Sequence, residues 1–167
     1  MRPFPTLVLC TTLVTVLFGA PTGASGQETP RELLDSWVEL WGTGNLDLVP
    51  ALFLRDDRVT YFSSEFEGLI RGYPALVEHH RGFGFEAGGV PREQVIWVGD
   101  VEIVDFGDTA LVGAIWYFGD PASPEGAQRG PMSVIAVATS AGYRIGHMHF
   151  ATYAEAEPAG EGQRRRP

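Results

Sequence analysis

The sequence predicts a single α+β domain, because helical patterns come first along the chain and strand patterns follow. Three short segments with helical spacing of apolar residues lie between residues 29 and 81. After a glycine-rich stretch at 82–89, four segments rich in Val, Ile, Trp, Tyr and Phe are separated by turn sequences. Roughly 125 ordered residues are enough for one hydrophobic core.

Residues 1–26 have the pattern of a secretory signal peptide. Arg2 gives a short positive start, Leu7–Phe18 is an apolar run, and Ala24 and Gly26 offer cleavage positions. The run is short for a membrane span, and an uncleaved anchor is the alternative. We expect an exported bacterial protein, periplasmic or secreted, without a stable membrane anchor after cleavage.

The chain that remains after cleavage divides into a domain at 27–153 and an Ala/Glu/Pro/Gly-rich tail at 154–167, which we expect to be disordered. Because Cys10 is the only cysteine and lysine is absent, disulfides, thiol nucleophiles and lysine Schiff bases are excluded. Without Arg2, 11 arginines face 21 acidic residues, a formal charge of −10. This balance predicts no binding to nucleic acid.

The first helix begins with a capping signal. Thr29 is the expected N-cap, Pro30 the first helical residue, and Glu32 completes a capping box. The residues 42–44, Gly-Thr-Gly, end the helix. Helical spacing predicts one broad apolar face, made of Leu33, Leu34, Trp37, Leu40 and Trp41.

Two more short helices are expected. Asn45 can cap one over 46–53, and Pro74–Arg81 has the pattern of the other. Between them we predict a strand near 58–63 and a turn at 68–72. The inward residues of the later helix are expected to be Leu76 and Val77.

Four strands follow in the second half of the chain. Hairpin turns at 106–108 and 140–142 join the first two and the last two. Thr109–Phe118 is apolar at almost every position, which indicates burial on both faces, against helices and against a surface such as a partner subunit. The strands are predicted at Gln94–Val104, Thr109–Phe118, Met132–Thr139 and Arg144–Thr152.

The last strand carries a His-x-His pair, His147 and His149. Strict alternation places both on the face that also holds Tyr143 and Ile145, with the imidazoles about 7 Å apart. In a pocket either could act as acid, base or ligand donor, because small shifts move an imidazole pKa across neutrality. The alternatives are a structural pair, or a metal site that would need a third ligand.

Aromatic residues of the neighbouring strands could form a pocket for a flat apolar ligand. Tyr61, Trp97 and Trp116 are the candidates, with a plain core role as the alternative. Glu65 follows the early strand and is either a solvated loop carboxylate or an acid at the pocket mouth that partners His149.

The third helix ends with a second histidine pair. His79 and His80 are about 100° apart on a helix, so at most one faces inward. His80 and Arg81 together suit the negative C-terminal end of the helix as cations. No nucleotide-binding loop, nucleophile elbow or zinc-protease motif is present, and no cofactor is expected.

Three phrases in order, GNLDLVPALFLRDDRVTYF, IRGYPALVEHH and YRIGHMHFATY, resemble the SnoaL-like family of the nuclear transport factor 2-like superfamily. The resemblance covers residues 29–153. It implies an α+β cone-shaped half-barrel, a curved, mostly antiparallel sheet packed on about three N-terminal helices. It also implies a pocket open at one end and dimerisation through the sheet.

In the enzymes of this family a pocket Asp or His commonly serves as base, and His149 matches the histidine of the terminal strand. Ala151 stands where a serine often follows. The resemblance implies a small, largely apolar ligand of polyketide or steroid type, with isomerase-, cyclase- or hydratase-type acid–base chemistry at His149 and His147. The alternative is a non-catalytic dimeric accessory or protein-interaction domain.

Overall fold

The computed structural model describes residues 29–154, so the predicted signal peptide and nearly all of the predicted tail lie outside the described residues. The first helix is well formed. It spans Pro30–Thr43 (α1), Thr29 and Glu32 form the predicted capping box, and Gly44 ends the helix with φ +58°. All five residues of the predicted apolar face are buried, so the sequence-based boundaries and inward face of α1 are confirmed.

Short elements connect α1 to the sheet. A 3₁₀ turn at Leu46–Leu48, capped by Asn45, leads directly into the four-residue helix Val49–Leu52 (α2). The strands Thr60–Phe62 (β1) and Ile70–Arg71 (β2) follow. The second strand lies where only a turn was predicted, and it pairs antiparallel with β1.

The third helix, Tyr73–Gly82 (α3), buries Leu76 and His80. Four long strands come next: Val95–Asp105 (β3), Thr109–Gly119 (β4), Gln128–Thr139 (β5) and Gly142–Phe150 (β6). They form the predicted antiparallel meander. A 3₁₀ turn at Pro124–Gly126 lies in the loop before β5.

The six strands form one sheet in the order β2-β1-β6-β5-β4-β3. β1 runs parallel to β6, and every other pair is antiparallel, so the sheet is mixed as well as mostly antiparallel. Three helices and an open, curved sheet make the predicted α+β cone-shaped half-barrel. Between residues 29 and 154, no helix is both long and apolar enough to cross a membrane.

The core lies between the helices and the inner face of the sheet. Trp37 of α1 stacks on Phe150 of β6 with ring centroids 5.3 Å apart. On β4, Ala110, Val112, Ala114 and Trp116 are buried, whereas Leu111 on the other face is 40% exposed. The inner face of β4 is thus buried against the core, and its outer face is open in the single chain, where the prediction expects another surface such as a partner subunit.

Candidate functional site

A cavity of about 310 Å³ opens between the helices and the inner face of the sheet. This volume is at the lower end of the range for small-molecule pockets. Most of its walls are aromatic or aliphatic, and the polar groups are few. The apolar wall is formed chiefly by Trp41, Tyr61, Ile96, Trp116, Phe118 and Phe150.

Inward-facing side chains of two strands form the floor of this cavity. Trp116 of β4 and Phe150 of β6 both face the helices, and their rings meet edge to face at 5.9 Å. The indole Nε1 of Trp116 donates to the carbonyl of Ala151 at 2.9 Å, which fixes the ring and satisfies its polar atom. The floor is therefore held in one orientation before any ligand enters.

Tyr61 enters the cavity from β1. It is 2% exposed, and its ring packs against Phe53, His80 and Phe150. Burial raises the pKa of its hydroxyl above the ordinary value, because the phenolate would be desolvated. At neutral pH Tyr61 is thus a neutral hydroxyl, able to donate or accept one hydrogen bond.

The polar groups lie along one part of the cavity wall. Ser63, Ser64 and Glu65 come from the loop after β1, and Gln128 comes from the start of β5. The Ser64 hydroxyl donates to the Glu65 carboxylate at 3.1 Å, and Glu65 is exposed. Arg92, from the segment before β3, is the basic side chain of the lining.

His80 lies behind the cavity wall. Its Nδ1 donates to the Leu76 carbonyl at 2.8 Å, and its ring contacts Trp41 and Tyr61. Burial lowers the pKa of His80 to about 4, so the expectation of a cationic His80 beside Arg81 is wrong. His79 is half-buried against Tyr61 and Phe83, and desolvation lowers its pKa as well.

The structure places His147 and His149 on the outer face of the sheet, away from the cavity. His147 accepts or donates a 2.8 Å hydrogen bond with the Thr60 hydroxyl, and His149 packs against Phe62 at 5.5 Å between ring centroids. Partial burial, and then the neighbouring His149, lower the pKa of His147. The expectation that these two histidines are polar contacts of the pocket is therefore wrong.

A β-bulge at Gly146 explains this correction. Ile145 pairs with Ala136, and both are buried, whereas His147 pairs with the exposed Ile135. The extra residue Gly146 on β6 interrupts the alternation, so Ile145 and His147 point to opposite faces. A glycine inside a strand pattern is the sequence signal that could have indicated the bulge.

Trp97 is also outside the cavity. It pairs with Tyr117 across β3 and β4, and the two rings stack at 5.4 Å with an angle of 6°. Its expected role as a pocket wall is corrected, because its neighbour Ile96 faces inward instead. Of the predicted ligand-binding residues, the cavity brings together Tyr61, Glu65 and Trp116.

Sequence reasoning missed several lining residues. Trp41 and Phe150 were expected only as core or strand residues, and Arg92 and Gln128 were not singled out. The glycines at 82–89 were the available signal for Arg92, because closely spaced glycines allow a backbone to approach another segment. No group of three or more His, Cys, Asp or Glu side chains at 29–154 is arranged to hold a metal ion.

Comparisons with known proteins support the fold. No family model matches the chain, and no curated protein matches it. Several solved structures match the chain. One is a protein from Salmonella enterica of the nuclear transport factor 2-like superfamily, which is 19% identical and has a TM-score of 0.60. The match covers 78% of this chain and 92% of that protein.

Two further structures cover nearly as much. A protein from Thiobacillus denitrificans, described as an association domain of calcium/calmodulin-dependent protein kinase type II, is 19% identical over 77% of this chain and 98% of its own, with a TM-score of 0.62. A proposed dehydratase from Streptomyces avermitilis is 14% identical over 74% and 93%, with a TM-score of 0.60. The chain thus has the nuclear transport factor 2-like fold.

Proposed function

We propose that this protein binds a small, largely apolar molecule in the cavity of the cone. The observation that carries the proposal is a preformed aromatic cavity of about 310 Å³ with only a few polar groups along its wall. Such a combination of apolar surface and sparse oriented polar groups is typical of small-molecule sites. The volume favours a compact one- or two-ring molecule over the four fused rings of a steroid.

The proposal also includes the family to which the protein belongs and its export from the cytoplasm. The phrases noted in the sequence favour the SnoaL-like branch of the superfamily, and residues 1–26 favour export to the periplasm or medium. Intact-mass measurement of material recovered outside the cytoplasm should give a chain that begins at Ser25 or Gln27. A chain that retains Met1–Gly26 would contradict export by cleavage.

The cavity favours binding over histidine chemistry. None of the histidines at 29–154 is among the lining residues, whereas Tyr61 and Glu65 are. If a substrate reacts here, Glu65 is the group able to accept a proton, and Tyr61 is the group able to donate a hydrogen bond. His147 and His149 would serve such a reaction only from the opposite face of the sheet.

The test compares two changes on one strand. Ile96 lines the cavity and is 6% exposed, and Trp97 beside it faces outward. Ile96→Phe should fill part of the cavity, whereas Trp97→Phe should leave it unchanged. Native mass spectrometry of protein purified from a bacterial host is expected to show a bound small molecule on wild type and Trp97→Phe.

The same molecule should be lost or markedly reduced on Ile96→Phe. Titration with 2-naphthamide, a neutral two-ring probe, gives a second measurement that does not depend on co-purification. Absence of any bound molecule together with no heat of binding for this probe would contradict the proposal. Equal binding by wild type and Ile96→Phe would show that a ligand binds elsewhere.

A second candidate function is a dimeric accessory or protein-interaction domain. Its supporting observation is the outer face of the sheet, where large apolar side chains remain about 40% exposed: Phe62, Val104, Leu111 and Ile135. Soluble chains rarely expose several large apolar residues together without a partner. A second copy of this chain, docked by the same face, is the proposed partner.

A further inference from the structure

Arg92 is an arginine in the cavity wall that has no acidic partner among residues 29–154. Arg31, Arg58 and Arg81 each form a salt bridge with a nearby carboxylate, whereas Arg92 forms none within the described part of the chain. Partial burial desolvates its guanidinium in part and so lowers its pKa from the ordinary value. The cation remains protonated, because an arginine pKa stays far above neutrality.

A slot made of neutral groups holds the guanidinium. Its Nη2 donates to the Phe83 carbonyl at 2.8 Å, and its Cζ lies 4.4 Å above the centre of the Phe85 ring. Gly44 closes the slot: a Cβ on that residue would lie 2.7 Å from Arg92 Nε. The guanidinium is thus oriented by packing and one hydrogen bond, and its charge remains available.

The backbone around Arg92 is anchored to the end of α1. The amide of Arg92 donates to the Gly42 carbonyl at 3.1 Å, and the amide of Val90 donates to the Thr43 carbonyl at 2.7 Å. Gly89 permits this approach, since a Cβ there would lie 2.5 Å from the Thr43 oxygen. The partial negative charge at the helix C-terminus favours a cation at this place but does not neutralise it.

We propose that Arg92 binds the carboxylate of the ligand, so that the cavity takes a compact aromatic or alicyclic carboxylic acid. The proposal deepens and rests on the proposed function of the cavity. A carboxylate would supply the missing partner of a partly buried, pre-oriented guanidinium, where charge-assisted hydrogen bonds are strong. The apolar body of the ligand would lie against the aromatic wall.

A carboxylate fits this site better than a phosphate. The Phe83 carbonyl already uses Nη2, which leaves fewer guanidinium donors for the three oxygens of a phosphate. Glu65 lies in the same lining, and the chain has a formal charge of −9, so a dianion meets more repulsion than a monoanion. The remaining polar groups of the wall, Ser63, Ser64 and Gln128, are neutral.

The experiment uses three probes of one shape: 2-naphthoate, its neutral amide and 2-naphthyl phosphate. Isothermal titration calorimetry of the full chain should give at least about tenfold tighter binding of the carboxylate than of the amide. The phosphate should bind more weakly than the carboxylate. Arg92→Met should remove the preference for the carboxylate and leave the affinity for the amide within about twofold.

Two further variants serve as controls. Arg92→Lys keeps the charge and should retain part of the preference, whereas Arg71→Met removes an exposed arginine outside the cavity and should change nothing. Glu65→Gln should strengthen carboxylate binding slightly. Higher ionic strength should weaken the carboxylate more than the amide.

The outcomes separate the two proposals. If carboxylate and amide bind equally, or if the phosphate binds most tightly, the role of Arg92 is overturned while the apolar cavity stands. If none of the three binds, the cavity itself does not take compact ring compounds, and both proposals fail. A carboxylate preference that survives Arg92→Met would assign the charge recognition to another residue.

Discussion

His80 is a neutral imidazole enclosed by aromatic side chains. Trp41, Phe53, Tyr61 and Phe85 surround its ring, and its Nε2 has no hydrogen-bond partner in the described part of the chain. Desolvation is the main cause that lowers its pKa to about 4, and the nearby His79 adds to the effect. The hydrogen bond from Nδ1 to the Leu76 carbonyl opposes the shift but does not cancel it.

The pKa of His80 predicts how stability depends on pH. Since its pKa in the folded chain is below the value of 6.5 in the unfolded chain, the unfolded chain binds the extra proton first as pH falls. The stabilisation from neutral His80 is complete above pH 6.5 and is lost as pH falls toward 4. The expected loss is on the order of 3 kcal/mol, measured by urea unfolding at a series of pH values.

A variant isolates this contribution. His80→Asn keeps a donor for the Leu76 carbonyl but cannot titrate, so its free energy of unfolding should fall less steeply between pH 6.5 and 4. His149→Ala, on the outer face, should keep the steep dependence. If His80→Asn does not fold, an NMR titration of wild type still decides, because a His80 ring resonance that titrates near pH 6.5 would contradict the burial.

Individual residues also show how much of the site could be predicted from the sequence. Tyr61, Glu65 and Trp116 were predicted at the pocket and line it; the two aromatic residues do so because β1 and β4 keep regular strand alternation there. His149 was predicted there and lies outside, because alternation fails after a bulge. Arg92 was missed because its place depends on a contact between a loop and the end of α1, which no local pattern encodes.

The elements that carry the cavity meet through close backbone contacts. The segment after β6 crosses β5 at Gly130: the amide of Ala151 donates to the Pro131 carbonyl, and the amide of Tyr153 donates to the Arg129 carbonyl. Trp116 donates to the Ala151 carbonyl from the neighbouring strand. This crossing is connected to the cavity through Trp116, which lines it.

Gly130→Ala should disrupt that crossing. A Cβ at Gly130 would lie 1.8 Å from the Ala151 carbonyl oxygen, and the obstacle is backbone, which yields less easily than a side chain. We expect destabilisation of about 2 kcal/mol or more, together with a changed tryptophan fluorescence from Trp116. Thermal and urea unfolding, with fluorescence of the folded state, measure both effects.

The matched control is Gly113→Ala on the adjacent strand β4. A Cβ at Gly113 would meet nothing within 4 Å, so the change should be neutral or slightly stabilising. Comparable losses for the two variants would show that the contact with Ala151 does not set the cost of Gly130→Ala.

At the scale of the whole molecule, the predicted architecture is confirmed. Which strand residues face the core was predicted correctly for only part of the sheet. Helix caps, hydrophobic spacing and hairpin turns are local, and they located α1, α3 and the four long strands within a few residues. The pairing of β1 with β6 is remote in sequence and was not predicted from the residues. The bulge on β6 decides which face is the inner one, and its position depends on packing of the whole sheet.

The exposed outer face predicts self-association. Ile135→Glu should shift the protein from dimer to monomer, because a charge at the centre of a docked apolar face would be desolvated. Sedimentation velocity at several protein concentrations measures the change. Val90→Glu, at an apolar residue that is 54% exposed in a loop, is the control and should leave the association state unchanged.

A wild-type chain that sediments as a monomer at every concentration would contradict the second candidate function. The pocket proposal would remain, because the cavity is lined by residues of one chain. A dimer that survives Ile135→Glu would point to a different interface.

Because β1 pairs with β6, the cavity can form only after the last strand has been synthesised. Thr60 and His147, which share a hydrogen bond, are 87 residues apart, and the cavity needs Tyr61 from the first strand and Phe150 from the last. During synthesis the ribosome therefore releases nearly the whole domain before the binding site can form. Under the proposed export of an unfolded chain, the cavity would form only after the chain has crossed the membrane.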